Sequence, residues 1–311
     1  MSRLNQLKRI LFSTALVLIG STLGMFPGAA WGQEKAGSPS FRYSFSYTPL
    51  YQFETDLDGG GSFDVSRHYL RFGIMRPLSP NLRVGLGLNY DYEKWSFNNL
   101  SNVAGATPWS AIHRSGISLP LSYTFSDNWT VGFSPTVELT GEAGARTSES
   151  LTYGAVVSLA HPFTRDLYLG LGFGLFDRLE KTKVFPFILV NWKINEQLRL
   201  SNPFRAGPAG PAGLELVYTP QKWELGVGGA YRSYRFRLDD TSAVPDGVGE
   251  NEFVAGFLRV QRKLGSKLTL DLAAGALFGG ELTIENESGS QRGSDQYDTA
   301  PFVALTFAGS F

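Results

Sequence analysis

The sequence predicts an all-β protein, a closed antiparallel transmembrane β-barrel of about fourteen strands, with short periplasmic turns and longer outer loops. Three observations predict it. Apolar residues recur at every second position over long stretches. Short polar turns alternate with longer Gly/Asp/Ser-rich links. Aromatic residues gather at both ends of the alternating stretches.

The chain opens "MSRLNQLKRILFSTALVLIGSTLGMFPGAAWGQEK". Arg3, Lys8 and Arg9 form a basic start, and Ile10 to Leu23 form an apolar stretch interrupted by Ser, Thr and Gly. Ala30-Trp31-Gly32 then offers the small residues that a signal peptidase reads, so residues 1–32 read as a cleaved signal peptide. Residues 33–40 are expected to be a short periplasmic segment and 41–311 the barrel domain.

Strand signals follow in order. "FRYSFSYTPLYQFE" sets Phe41, Tyr43, Phe45 and Tyr47 against Arg42, Ser44, Ser46 and Thr48. "NLRVGLGLNYDY" sets Leu82, Val84, Leu86, Leu88, Tyr90 and Tyr92 against Arg83, Gly85, Gly87, Asn89 and Asp91. "WTVGFSPTVELT", "DLYLGLGFGLF" and "KLTLDLAAGALF" repeat the pattern. A period of two puts residues on one face only in an extended strand. These stretches run for about 11 to 15 residues, against roughly 5–6 in a soluble strand. That length excludes propeller blades and most sandwiches, and suits a tilted crossing of the outer-membrane apolar band.

Six short turns are expected at "RPLSPNL", "TFSDNW", "PFTRDL", "KINEQL", "YTPQKW" and "RKLGSKL". Seven links on the opposite side are expected at 55–62, 96–111, 141–150, 180–183, 201–213, 238–250 and 281–298. The short segments "QLRLSNPF" and "GLELVYT" decide between fourteen strands and twelve. "GPAGPAG" (207–213) reads as a stiff loop, since two triplets cannot form a collagen helix.

Alternation alone does not say which face points out. One aromatic set lies beside the short turns (Phe41, Tyr43, Tyr123, Phe125, Trp129, Phe163, Trp192, Tyr218, Trp223, Phe311). Another lies toward the long loops (Tyr51, Phe53, Tyr90, Tyr92, Tyr153, Phe278), as two bilayer interfaces would select. The opposite face carries both signs: Arg42, Arg67, Arg71, Arg83, Arg114, Arg199 and Arg259 beside Glu54, Asp91, Glu138, Glu215, Glu224 and Asp271. A charge at the bilayer midplane costs about 2–4 kcal/mol, so that face is expected to line the lumen.

"RPLSPNLRVGLGLNY", "SLPLSYTFSDNWTVGFSPTVEL", "FPFILVNWKINEQLRLSNP" and "YRSYRFRLDD" resemble a family of bacterial outer-membrane β-barrel proteins of unassigned function. The resemblance implies the fold and an outer-membrane location, and brings no catalytic residues. The ending "PFVALTFAGSF", with Phe307 and Phe311, resembles the C-terminal strand signal read by the barrel-assembly machinery.

Composition narrows the chemistry. Lys+Arg and Asp+Glu are equal at 28 each, giving no electrostatic case for nucleic acid, and the mixed signs on the lumen face give no expectation of strong ion selectivity. No cysteine is present, which excludes disulfides, thiolate metal sites and a lipid-carrying cysteine. No cofactor is expected. Partners are expected to be outer-membrane lipids and lipopolysaccharide, with the barrel itself a monomer.

Several constellations are weighed against plainer readings. Inward glycines (Gly85, Gly87, Gly170, Gly172, Gly174) leave room for a pore, or relieve curvature, or admit an inward loop. "IHRSG" places His113 and Ser115 two apart on an outward face, similar to the His-x-Ser pair of outer-membrane phospholipase A and lipid A deacylases. An interfacial histidine beside an unrelated serine is the plainer reading. "DLDGGGSFD" offers Asp56, Asp58 and Asp64 to a cation, although it lacks the third acidic position and closing Glu of an EF-hand; a solvated loop is the alternative. His68 and His161 stand singly. Arg232, Arg235 and Arg237 in "YRSYRFRLDD" form a basic cluster expected near the outer rim, facing lipopolysaccharide phosphates or pairing within the protein. Apolar parity slips between Tyr231 and Tyr234, which suggests a bulge. The expected function is a porin-like channel for passive passage of small solutes. A structural or surface-recognition barrel and an outer-leaflet lipid hydrolase are the alternatives.

Overall fold

The computed structural model describes residues 40–100, 108–203 and 212–311. The expected signal peptide, and residues 207–211 of the Gly/Pro loop, lie outside the described residues. Among the described residues no helix is long and apolar enough to cross a membrane.

Sixteen hydrogen-bonded segments form one sheet that closes on itself. Two pairs of segments are single interrupted strands, so the barrel has fourteen. They are β1 (Arg42–Asp56), β2 (Ser62–Pro77), β3 (Leu82–Asn98), β4 (Ala111–Ser118 with Leu121–Thr124), β5 (Thr130–Glu142), β6 (Leu151–Pro162) and β7 (Leu167–Arg178). Then follow β8 (Lys181–Lys193), β9 (Leu198–Ser201), β10 (Gly213–Tyr218), β11 (Trp223–Arg237), β12 (Val248–Leu264), β13 (Leu268–Glu285) and β14 (Gln291–Tyr297 with Ala300–Ser310). Both parts of β4 pair with β3 and β5, and both parts of β14 pair with β13.

Each strand pairs antiparallel with its sequence neighbour, and β14 returns to β1 through Ser44↔Ser310 to Gln52↔Phe302. Closure leaves no edge unsatisfied in the wall, which an apolar solvent demands. The short "LRLS" and "LELVY" segments are both strands, joined through Leu198↔Tyr218 to Ser201↔Glu215, so fourteen is right and twelve is not. All six short turns lie where the sequence places them. The 281–298 link is mostly strand instead: β13 and β14 continue as a hairpin paired from Gly280↔Tyr297 to Glu285↔Gln291, and β13 stays paired with β12 there.

The wall is apolar outside. Leu70, Leu88, Ile117, Val137, Leu171, Leu258 and Leu272 are exposed there, and Leu171 is 69% exposed. The lower aromatic set flanks this band, with Phe41, Tyr123, Phe125, Phe163, Trp192, Trp223 and Phe311 exposed. Tyr51, Phe53, Tyr90, Tyr153 and Phe278 flank it above.

The lumen departs from simple polar lining. Its outer half holds an apolar cluster that includes Phe63, Val65, Tyr69, Trp95, Trp109, Tyr234, Phe236, Phe253, Tyr297 and Phe302. β11 explains it. From Arg232 to Leu238 every residue is buried, on both strand faces. Beyond the Gly213↔Ala230 pair, β11 leaves β10, and its tip pairs in parallel with β5 at Arg237↔Gly141. β5 and β11 stand six places apart round the fourteen-strand ring in one direction and eight in the other, so the tip spans the barrel. The parity slip at Tyr231 is therefore not a bulge between β11 and β12, whose register runs unbroken from Trp223↔Arg262 to Arg237↔Val248. The irregularity lies one strand on, between Glu252 and Val254 against β13. A bulge bends a strand, and this one sits where β12 turns inward.

Candidate functional site: the lumen

Inward side chains fall into three groups. On β10 to β13, in the lower lumen, Arg259 donates to Glu215 at 2.6 Å, Asp271 at 2.8 Å and Gln261 at 2.7 Å. Glu224 lies 3.7 Å from Arg259 and 3.8 Å from Arg199. Strand parity brings these together: Gln261↔Asp271 and Gly226↔Arg259 are cross-strand neighbours. Arg42 and Arg83 lie at the lower rim and are exposed.

On β2 to β5, Asp91 receives both Arg71 (Nη2 at 3.0 Å) and Arg114 (3.2 Å). Arg67 lies 3.4 Å from Glu93 and donates to Gln52 at 2.8 Å, and Asn89 donates to Glu138 at 3.2 Å. Arg67, Asp91, Glu93 and Arg114 are all buried. Their interactions satisfy much of what burial would otherwise leave uncompensated.

The third group holds the β11 tip. Arg235 is fully buried and donates to Glu250 at 2.5 Å, Glu285 at 2.8 Å and the Leu179 carbonyl at 3.0 Å. Lys183 bonds Glu250 at 2.7 Å, and Lys181 bonds Glu285. Arg237 bonds the Glu180 carboxylate, the Glu149 carbonyl at 2.9 Å and the Asp246 carbonyl at 2.7 Å. Arg178 reaches Ser233 Oγ at 3.3 Å. Leu179 and Glu180, the two-residue β7–β8 turn, both take positive φ (47° and 64°), which ordinarily calls for Gly or Asn. The two β11 arginines clamp that strained turn.

Of the two readings of the Arg232, Arg235 and Arg237 cluster, pairing within the protein is the one that Arg235 and Arg237 show. Arg232, Arg235 and Arg237 are buried within the mouth and reach no lipid surface. Asp239 pairs with none of them; it accepts from the Thr241 amide at 3.0 Å. The Asp239 amide donates to Glu142 Oε2 at 3.1 Å, while Glu142 Oε1 accepts from the Ser110 amide at 2.8 Å. Burial pushes the Glu142 carboxyl up, against the pull of these amide donors.

The inward glycines serve a use not expected from the sequence. The space that a Cβ would take at Gly172 is filled by the Phe187 ring, and at Gly174 by the Phe185 ring. Neighbouring-strand aromatics thus sit closer to the wall than a side chain at these glycines would allow. Gly228 with Phe257 and Gly280 with Tyr297 repeat the device.

The remaining candidates do not assemble. His113 Nδ1 bonds Tyr90 OH at 2.8 Å and its ring packs on Tyr92, while Ser115 is exposed on the outer wall. No carboxylate or amide side chain bonds His113 among the described residues. His68 pairs likewise with Tyr47 at 2.8 Å. Asp64 accepts from Tyr51 OH at 3.3 Å, whereas the loop bearing Asp58 is tied to β14 through Gln296 and Asp295. Among the described residues no three His, Cys, Asp or Glu are grouped to hold a metal. Phe311 pairs with Tyr43 through two backbone bonds of 2.9 Å, and its ring stacks on Phe45. Phe307 packs against Phe45 from the same strand.

Sequence reasoning missed Glu93, Arg178, Lys183, Glu250 and Glu285. Glu93 shares the parity of Asp91 and could have been read from it. The others lie in segments taken for loops, or find partners only because β11 crosses the mouth.

These features define a closed outer-membrane-type β-barrel with a packed outer lumen. No protein-family model matches the chain, and no curated protein sequence does. Among solved structures it is similar in fold to the COG4313 outer membrane channel from Pseudomonas putida F1, with 9% identity and a TM-score of 0.50, over 91% of this chain and 99% of that one. The P. putida toluene transporter TodX aligns at 10% identity and a TM-score of 0.43, over 89% and 91%. The KdgM porin aligns at 10% and 0.33, over 86% and 99%.

Proposed function

We propose that this chain is an outer-membrane channel for passive passage of small solutes, held closed at its outer mouth by the β11–β12 hairpin. One observation carries the reading. Aromatic rings on the inner wall are seated over glycines of the adjacent strand, nearer the wall than a Cβ there would allow, which in this reading spares space along the barrel axis. A barrel that served only as a scaffold would gain more by filling that space, because interiors stabilise through close packing. The ion-paired β11 tip then acts as a closure over a conduit. Under this reading the N-terminal signal directs the chain to the outer membrane, and Phe307 with Phe311 serves the assembly machinery. The barrel works as a monomer among lipid and lipopolysaccharide.

Planar-bilayer recording of the purified barrel tests the proposal. Discrete current steps, rare in the native protein and frequent once the hairpin is released, are expected. A silent membrane under both conditions would favour the scaffold reading, for which the packed outer lumen is the supporting observation.

A further inference from the structure

The whole-chain charge balance hides a local imbalance in the middle of the lumen. Arg67, Arg71, Arg114 and Arg232 gather there around Asp91, Glu93 and Glu138, four guanidiniums to three carboxylates. The β11 closure holds a separate set, with Arg178, Lys181, Lys183, Arg235 and Arg237 beside Glu180, Glu250, Glu252 and Glu285.

Tyr234 stands at the centre of the cluster. The Arg114 guanidinium lies 4.7 Å from its ring centroid and the Arg232 guanidinium 5.4 Å. Arg67 and Tyr69 are within electrostatic reach of it. Six donor atoms here make no hydrogen bond, Arg67 Nε and Nη2, Arg114 Nη2, Arg232 Nε, Tyr69 OH and Tyr234 OH, against one such acceptor, Glu93 Oε1. Each of these residues is at most 5% exposed. Arg232 makes no ion pair with any described residue. Buried donors are normally paired, and a cluster left unpaired raises the energy of the packing that holds it.

From this cluster we infer that the middle of the lumen binds a small organic anion, a carboxylate carried on an apolar body about the size of one ring. The carboxylate is an acceptor that can take two guanidinium donors at once. The apolar body matches the surrounding Trp95, Phe253 and Tyr297 rings. All six donor atoms are buried from solvent. The ligand therefore reaches them by displacing the Tyr234 side chain from between Arg114 and Arg232. Because Tyr234 rides on the β11 tip, binding favours the released hairpin. Tyr234 holds the slot in the closed barrel, offering a ring without a negative charge.

Calorimetry on the full-length purified barrel in micelles tests this, with benzoate as the probe and benzamide and benzylamine as controls. Benzoate is expected to bind at least tenfold more tightly than either. Arg232→Gln is expected to weaken benzoate at least fivefold, and it orphans no carboxylate, so the barrel should fold. Arg114→Lys, which keeps the charge but loses the forked donor, should weaken it as well. Absent benzoate binding, equal affinity for benzamide, or affinity unchanged in both variants would each overturn the inference. The last outcome would place the anion elsewhere. Binding is read without a current, so the result stands apart from the channel proposal.

Discussion

Arg235 is expected to be the single residue on which closure of the mouth most depends. It is fully buried, and its guanidinium meets Glu250, Glu285 and the Leu179 and Arg178 carbonyls. Arg235→Ala removes these bonds together and leaves two carboxylates that are 6% and 2% exposed. Breaking a buried ion pair from one side costs about 3–5 kcal/mol. Lys183 and Lys181 still reach Glu250 and Glu285, so the lower end, about 3 kcal/mol, is the better figure for this site. At about 1.4 kcal/mol per tenfold, that shifts the closed-to-open ratio of the hairpin by about two orders of magnitude. The wall itself keeps its pairing, because the β12–β13 and β11–β12 ladders below Gly256 and Gly229 do not involve Arg235. The assay combines heat-modifiable gel migration, which reports the intact barrel, with bilayer recording and limited proteolysis of residues 238–247. A folded barrel with frequent openings and a newly cleavable loop is expected. The triple variant Arg235→Met with Glu250→Gln and Glu285→Gln should restore closure, since a neutral set strands no charge. A folded Arg235→Ala barrel with native current and a protected loop would refute the reasoning.

Other outcomes follow from the same geometry. Leu171→Arg, at the most exposed apolar position of the wall, should lower folding stability in phospholipid vesicles by about 2–4 kcal/mol, and an unchanged urea midpoint would contradict a lipid-facing wall. Gly174→Ala must lift the Phe185 ring off the wall, so a loss of about 1–3 kcal/mol and a smaller open-state current are expected from urea titration and recording. Truncation of Phe311 removes its two backbone bonds to Tyr43 and its stacking on Phe45, and should slow insertion measured by gel shift while leaving current amplitudes unchanged. The raised Glu142 carboxyl binds its proton more tightly in the docked mouth than in an open one. Its contribution to closure is therefore complete below the ordinary carboxylate range and is lost as pH rises through the raised value. Proteolysis of residues 238–247 should slow on acidification from about pH 7 to about pH 4, and Glu142→Gln should flatten that trend.

The wall was legible in the sequence because lipid and lumen impose a strict period of two. Leu167 to Leu175 alternate against Gly170, Gly172 and Gly174, and no other structure satisfies that pattern at such length. The four-residue "LRLS" strand and its partner were too short to be decided by their period, since a ring of twelve closes as well as one of fourteen. The interior was legible only in part. Arg259 with Asp271, and Arg71 with Asp91, share inward parity on strands that neighbour one another, so strand order alone brings them together. The mouth was not legible. "YRSYRFR" has charges and aromatics on both faces, which in a wall strand would place arginine against lipid. The sequence thus signals that this segment is no ordinary wall strand, but parity cannot say where it goes. Its destination depends on contacts far apart in the chain: Arg237 with Glu180, the Thr140 hydroxyl with the Arg235 carbonyl, Trp109 with Phe236. A period is a local property and survives in one sequence. Closure of the mouth is a set of long-range pairings, each replaceable in kind, and leaves no period behind. The same reasoning accounts for Tyr234. In the sequence it marks only a slip of parity, and the strand crossing is what sets its ring near the Arg114 guanidinium from across the barrel as well as that of Arg232 on its own strand.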